Sequence, residues 1–417
     1  MLLTGLRPSP RRARAGFCEA MQQFERNRIA MQKIVIIGAG AAGVSAAAAL
    51  RQNGFDGQIT VLGEEPALPY QRPPLSKVWL TSADTPRPTP IRPAGFFQDN
   101  RITLERGRKV VRLDREARHV TMRDRGAIGY DKLILATGAS PRPIKVPGAG
   151  LKNVFYLRDL GHAAALREAL GRADCRTVAI VGGGVIGLEV GSAAIARGKQ
   201  VTVVEAAARP MARVASPAVT NHVTRKLKAE GVAFIVNARV EEIMGRNGRV
   251  TGLRLVSEAH VPADIVVAGI GALPNVGLAV QAGLGCDGGI MVDGAMLTTD
   301  PHVYAVGDCA RAVTPFFGAP IRIETIHHAM SQALVAAAHI CGKPLPPAAP
   351  SRFWSDLKGM KVQGLGIAAG YDRLQESTSE DDDAREIRLF SGDRLAAAET
   401  VNLPTRQAEL AKALRPV

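Results

Sequence analysis

A four-residue apolar run, Ile34-Val35-Ile36-Ile37, stops at Gly38 and gives way to an alanine-rich stretch over 43–52. A short apolar run bounded by glycine predicts a strand buried on both faces, and the alanine-rich stretch predicts a helix. A second apolar run reaches Val61, so 33–61 reads as strand, turn, helix, strand. The order returns from Thr177: Val178-Ala179-Ile180-Val181, a glycine turn, a helix, then Val201-Thr202-Val203-Val204. Between 63 and 95, Pro66, Pro69, Pro73, Pro74, Pro86, Pro88, Pro90 and Pro93 exclude a long regular element. Further runs predict strands over 109–113, 132–138 and 266–271, and helices over 163–170 and 329–340. Residues 300–308 read as a strand ending in an acid. After a proline-rich break at 344–350, the segment 351–417 alternates apolar and polar positions and predicts a small α+β domain.

The turns carry chemistry. Gly38-Ala39-Gly40-Ala41-Ala42-Gly43 and Gly182-Gly183-Gly184-Val185-Ile186-Gly187 share the G-x-G-x-x-G spacing. Each follows a strand, opens a helix and has an acid about 20–25 residues on: Glu64 and Glu65 in the first copy, Glu205 in the second. The first glycine permits the tight turn, the second lets backbone approach a pyrophosphate, and the third lets helix pack on strand. The helix N-terminus then offers unpaired N–H groups and a positive dipole end to the phosphates. Gly38, Gly40, Gly43, Gly182, Gly184 and Gly187 are therefore cofactor-binding candidates. Two such sites imply two dinucleotides, the arrangement needed to pass a hydride from a nicotinamide to a flavin. A carboxylate at Glu205 accepts from a ribose 2′-hydroxyl and repels a 2′-phosphate, which favours NADH over NADPH. Arg209 and Arg213 either soften that preference or simply sit on a loop.

Open α/β sheets bind ligands beyond the carboxyl ends of their strands. The strand before Gly307-Asp308 is thus expected in one sheet with the first fingerprint, the second nucleotide domain being inserted between them. The expected fold class is α/β, with two Rossmann-like dinucleotide-binding domains and a small α+β C-terminal domain. The expected bounds are 33–142 plus 270–345 for the first, 143–269 for the second and 346–417 for the last.

The bulk numbers narrow the class. At 417 residues, 46% apolar and 22% charged, the chain suits a globular protein of two or three domains. No stretch of 18 or more apolar residues argues for a membrane span. Cys18, Cys175, Cys286, Cys309 and Cys341 lie far apart without metal-ligand spacing, which fits a reducing cytoplasm and argues against zinc and iron–sulfur sites. The net charge of +15 is scattered, with no aromatic-interleaved basic stripe, so nucleic acid is not an expected partner. That charge serves either solubility or attraction to an acidic protein. Residues 1–32 carry Arg7, Arg11, Arg12 and Arg14 and resemble a transit peptide, but lack a secretory apolar core. Met31 directly precedes the first strand; translation is expected to start there, and the preceding residues to be disordered.

The segment Leu68-Pro69-Tyr70-Gln71-Arg72-Pro73-Pro74-Leu75-Ser76-Lys77, together with both fingerprints, resembles the flavin-dependent ferredoxin reductases that feed bacterial oxygenases, of the putidaredoxin and rubredoxin reductase type. The resemblance runs over about 33–417 and implies a glutathione-reductase-like fold with FAD at the first fingerprint and NADH at the second. Related dithiol reductases place a redox cysteine pair in this segment; here it holds no cysteine, which argues strongly against a disulfide reductase. The resemblance implies that Ala42 and Glu64 hold the adenosine half of FAD and that Lys77 lies by the reactive flavin nitrogen. It assigns Arg72, Val110, Thr137, Gly138 and Arg142 to further FAD contacts. From the later part of the chain it adds Gly271, Gly307 and Asp308 (the last at the ribityl chain), and Ile326 and Trp354 near the ring. Glu189, with Ile186 before it, is implied to face the nicotinamide and pair with Lys77, making Lys77 and Glu189 the catalytic candidates. Two positions depart from the family pattern: Leu357 replaces a usual glutamine and His328 a usual asparagine. His327 and His328 as a metal pair are set aside, because adjacent helical residues point about 100° apart.

The activity so implied is NADH-dependent reduction of an acidic [2Fe–2S] ferredoxin, or a rubredoxin, by a monomer or weak homodimer. Two alternatives stay open. One is an NADH oxidase or quinone reductase of the same fold, distinguished by its acceptor. The other is an apoptosis-inducing-factor-like protein, distinguished by NADH-driven dimerisation.

Overall fold

The computed structural model describes residues 32–380 and 382–417; the expected start at Met31 and disordered leader lie outside the described residues. Two five-stranded parallel sheets form the centre of the molecule. In the first, the order is Val303–Ala305, Lys132–Leu135, Lys33–Ile37, Gln58–Leu62 and Ile102–Glu105. The second runs Val232–Ile235, Gln200–Val204, Thr177–Val181, Ile265–Ala268 and Val154–Phe155. Each fingerprint strand is therefore central, with the next strand on one side and a later one on the other. That reversal opens a crevice above the strand's carboxyl end. Both strands are buried on both faces, as their unbroken apolar runs require.

Val303–Ala305 pairs with Lys132–Leu135, so the strand before Gly307-Asp308 shares a sheet with the first fingerprint. It is shorter than the run over 300–308 suggests. Asp300 turns back through its side chain, which accepts from the His302 N–H at 2.9 Å, and Gly307–Cys309 is a single 3-10 turn. Two antiparallel segments, Ala139–Pro141 and Ala272–Pro274, form the passage between the two sheets. Asn275 ties them: its amide donates to Thr137 O (2.8 Å) and its carbonyl accepts from Thr137 Oγ1 (2.7 Å).

Two helices begin three residues earlier than their apolar periodicity, because a cap residue lies upstream. Asp159 accepts from His162 N at 2.9 Å and starts Leu160–Gly171; Thr325 accepts from His328 N at 3.2 Å and starts Ile326–Ile340. The C-terminal segment folds as a five-stranded antiparallel sheet with Arg394–Val401 at its centre, followed by the helix Gln407–Ala413. Its inner face shares one hydrophobic cluster with the second parallel sheet and its helices. Among the described residues, no helix is long and apolar enough to cross a membrane.

Candidate functional site

The carboxyl ends of both parallel sheets open into one cleft of about 1850 Å³, lined by both fingerprints and by the 68–77 segment. The glycines divide by what a side chain would meet. A Cβ at Gly38, whose φ is +112°, would lie 2.1 Å from Ala136 O, and one at Gly43 would lie 1.9 Å from Gly38 O. Gly182 (φ +98°) and Gly187 are closed in the same way, at 2.6 Å from Gly269 O and 2.3 Å from Gly182 O. Gly40 and Gly184 are different: Gly40 meets nothing within 4 Å and Gly184 only Gly269 O at 3.8 Å. The middle glycine of each motif thus faces open space at the start of a helix, Ala41–Gln52 or Val185–Ala196, that has no side-chain cap. Unpaired N–H groups, a bare backbone and room beyond them fit a pyrophosphate at both places.

Between the two cradles stands an ion pair. Lys77 Nζ lies 2.8 Å from Glu189 Oε1, with the lysine side chain 19% and the glutamate 2% exposed. The short helix Val78–Thr81 packs on Val185–Ala196 and brings the pair together from 112 positions apart in sequence. Arg167 fixes that helix by donating to Trp79 O at 2.8 Å. Ser355 Oγ donates to Glu189 Oε1 at 2.7 Å and Ser76 Oγ donates to Oε2, so both carboxylate oxygens of this buried acid are satisfied. The two serines escape a reading of the sequence, because each comes from a segment remote from the acid it serves. Only the place of Ser76 inside the 68–77 segment, and of Ser355 next to Trp354, hinted at a role.

The other candidates fall around this centre. Glu64 pairs with Lys109, while Glu65 takes Arg72 at 2.6 Å and the Tyr70 hydroxyl. Burial and this acid together push the Tyr70 phenol above its ordinary range. Asp308 pairs at 2.9 Å with Arg158, which carries no local sequence signal beyond directly preceding the Asp159 cap. Val110, Thr137, Gly138, Ile186, Gly271, Ile326 and Trp354 line the cleft. Arg142 does not: it is exposed, and it is its backbone N–H, donating to Gly271 O at 2.9 Å, that serves the passage between the sheets. Gly307 sits at φ +79°, where a Cβ would lie 2.9 Å from that of Ala42. Its N–H donates to Gln332 Oε1 at 2.7 Å, and Gln332 Nε2 faces His328 Nε2 at 3.1 Å. Because the Gly307 N–H fixes the amide orientation, His328 Nε2 must accept, so the ring is neutral. Burial agrees, lowering the imidazole to about 4. Leu357, the other departure, is fully buried in the C-terminal sheet. His327 stacks edge-on against Trp354, ring centres 5.4 Å apart.

At the second cradle, Glu205 Oε2 accepts from Gly183 N (2.6 Å) and Oε1 from Ala207 N (2.7 Å). The acid thus lies across the glycine turn, at the end of its strand. Arg209 is turned to backbone, donating to Ala215 O at 2.9 Å, and both Arg209 and Arg213 line the cleft.

Comparison with known proteins gives the family. Residues 32–333 match the pyridine nucleotide-disulphide oxidoreductase model and residues 352–415 the reductase C-terminal model. Rubredoxin-NAD(+) reductase of Ectopseudomonas oleovorans is 46% identical over 382 residues, covering 92% of this chain and 99% of that protein. Putidaredoxin reductase of Pseudomonas putida is 37% identical, with 90% of each covered. Among solved structures, a ferredoxin reductase from Rhodopseudomonas palustris superposes with a TM-score of 0.85 at 39% identity, covering 89% of this chain and 91% of that one. The covalent putidaredoxin reductase–putidaredoxin complex gives 0.87 at 35% identity, covering 93% and 94%. Two dinucleotide cradles in one cleft, with an ion pair between them and no cysteine among the described residues that line it, thus sit in a chain that belongs to the pyridine nucleotide-disulphide oxidoreductase family.

Proposed function

We propose that this protein is an NADH-dependent FAD reductase that passes electrons singly to a [2Fe–2S] ferredoxin or a rubredoxin: NADH + 2 oxidised acceptor → NAD⁺ + H⁺ + 2 reduced acceptor. The carrying observation is the Lys77–Glu189 pair, at the junction of the two cradles, in the segment where a dithiol reductase would carry its cysteines. The names of the relatives, rubredoxin-NAD(+) reductase and putidaredoxin reductase, support the same reading. FAD, when bound, supplies the step from two-electron hydride chemistry to one-electron transfer.

The chain's own residues supply binding, orientation and charge. The Gly38–Gly43 turn and the helix behind it hold the FAD pyrophosphate, Glu64 the adenosine ribose, and Gly307 and Asp308 the opposite end. The Gly182–Gly187 turn holds the NADH pyrophosphate, and Glu205 selects the unphosphorylated ribose. Lys77 places a positive charge where electron density accumulates, and Glu189, held by Ser76, Ser355 and Lys77, orients the nicotinamide. On this reading 33–142 with 270–345 is the FAD domain, 143–269 the NADH domain and 346–417 the interface domain.

Stopped-flow mixing of FAD-loaded protein with NADH, followed by a [2Fe–2S] ferredoxin, tests the reading. The expected result is rapid bleaching of flavin absorbance, then rapid reoxidation that slows as salt screens docking charges. Bleaching with reoxidation only by oxygen or a quinone would remove the ferredoxin from the reading.

A further inference from the structure

Segment 206–216 joins the strand Gln200–Val204 to the helix Pro217–Ala229 and lines the cleft beside Glu205. It is tied at the near end, where the Ala207 N–H donates to Glu205 and the Met211 N–H donates to Gly183 O at 2.9 Å. Arg209 closes it on itself by donating to Ala215 O (2.9 Å) and to Thr220 Oγ1 (3.0 Å). The far end is held from another part of the molecule. Ser216 N–H donates at 2.8 Å to Oε1 of Glu399, on the central strand of the C-terminal sheet.

Glu399 is an odd residue to find there. It is 2% exposed, its cross-strand neighbours are Gly364 and Ile387, and its Oε2 has no hydrogen-bond partner. Burial pushes its carboxyl upward, with Ser216 and Arg209 opposing. An apolar side chain would fill such a position without leaving a polar atom unsatisfied. The contact that Glu399 makes is with the segment flanking the second dinucleotide cradle.

We propose that Glu399 is a positioning residue for NADH: through the Ser216 N–H it holds segment 206–216 in the shape that flanks the adenosine end of the second cradle. The C-terminal sheet thereby sets nucleotide affinity at a distance from the hydride. This rests on the assignment of that cradle to NADH. Without the anchor, NADH binding must first order the segment, so affinity falls while the reacting centre is untouched.

The test uses FAD-loaded protein and the NADH dependence of flavin bleaching, which separates Kd from the limiting rate. Glu399→Leu removes the acceptor; the expected result is a Kd about tenfold higher, the size of one buried hydrogen bond, with a limiting rate within about twofold of native. Glu399→Gln keeps an acceptor and should stay within about twofold in both. Should Glu399→Leu fail to fold, Ser216→Pro removes the donor at a φ of −66° that proline adopts, and Ser216→Ala controls for the lost cap. Only the proline variant should raise Kd beyond the control. A native Kd in Glu399→Leu, or a limiting rate that falls in step with affinity and FAD content, would overturn the proposal. Native protein that NADH does not bleach would instead overturn the assignment of the cradle itself, and the proposal with it.

Discussion

Replacing Glu189 by glutamine isolates the charge at the junction of the two cradles. The amide is isosteric: its oxygen can keep Lys77 and Ser355, and its NH₂ can donate to Ser76 Oγ, which reverses its role. No hydrogen bond need be lost, so what disappears is the negative charge opposite a lysine that is only 19% exposed. Removing one partner of a buried pair costs about 3–5 kcal/mol, because the other charge is left uncompensated. Lys77 borders an open cleft and can turn its ammonium into it, which brings the expected loss down to about 2–3 kcal/mol. At about 2–4 °C per kcal/mol, the melting temperature should fall by about 4–12 °C. The assay is thermal unfolding of four proteins: native, Glu189→Gln, Lys77→Met and the double variant. Because each single change leaves one unmatched charge and the double change none, the double variant should be more stable than the sum of the singles implies, by about 1–3 kcal/mol. Additivity within about 0.5 kcal/mol would refute the argument, since it would mean that the two charges do not feel each other.

Other consequences are as specific. Gly38→Ala should lower the stability of the apoprotein by about 2–5 kcal/mol through its positive φ and backbone overlap, whereas Gly40→Ala should leave apoprotein melting within about 1 kcal/mol of native and weaken FAD binding; titration of apoprotein with FAD separates the two. Glu205→Gln should raise the NADPH-to-NADH ratio of kcat/KM, read in steady-state kinetics, and an unchanged ratio would remove the acid from nucleotide selection. His328 titrates near 4 in the folded protein against about 6.5 unfolded, so the unfolded chain binds the extra proton between those values. Stability should therefore fall as pH drops through that window, by about 3 kcal/mol from this residue, and level off below it. Urea unfolding at pH 7 and pH 5 should show a smaller drop for His328→Asn than for native protein.

The sequence by itself determined the two βαβ units, because buried parallel strands and G-x-G-x-x-G turns are local patterns whose meaning needs no distant partner. Gly38 and Gly182 are readable for the same reason: each must be glycine to make its own turn. It also determined that the 68–77 segment carries no thiol, which argues against dithiol chemistry at that place. Pairings were legible only where a family resemblance supplied them, as for Lys77 with Glu189. The tertiary structure alone decided that Ser76 and Ser355 satisfy Glu189, that Arg158 meets Asp308, that Arg142 turns outward, and that Glu399 reaches Ser216. Helix starts at Leu160 and Ile326 were missed for a smaller reason, since a capping side chain acts one turn ahead of the apolar periodicity. Every contact of the first kind joins segments far apart in the chain. Hydrophobic period and turn chemistry act over a few residues, whereas a buried carboxylate is satisfied by whatever donors packing delivers, and packing is a property of the whole fold.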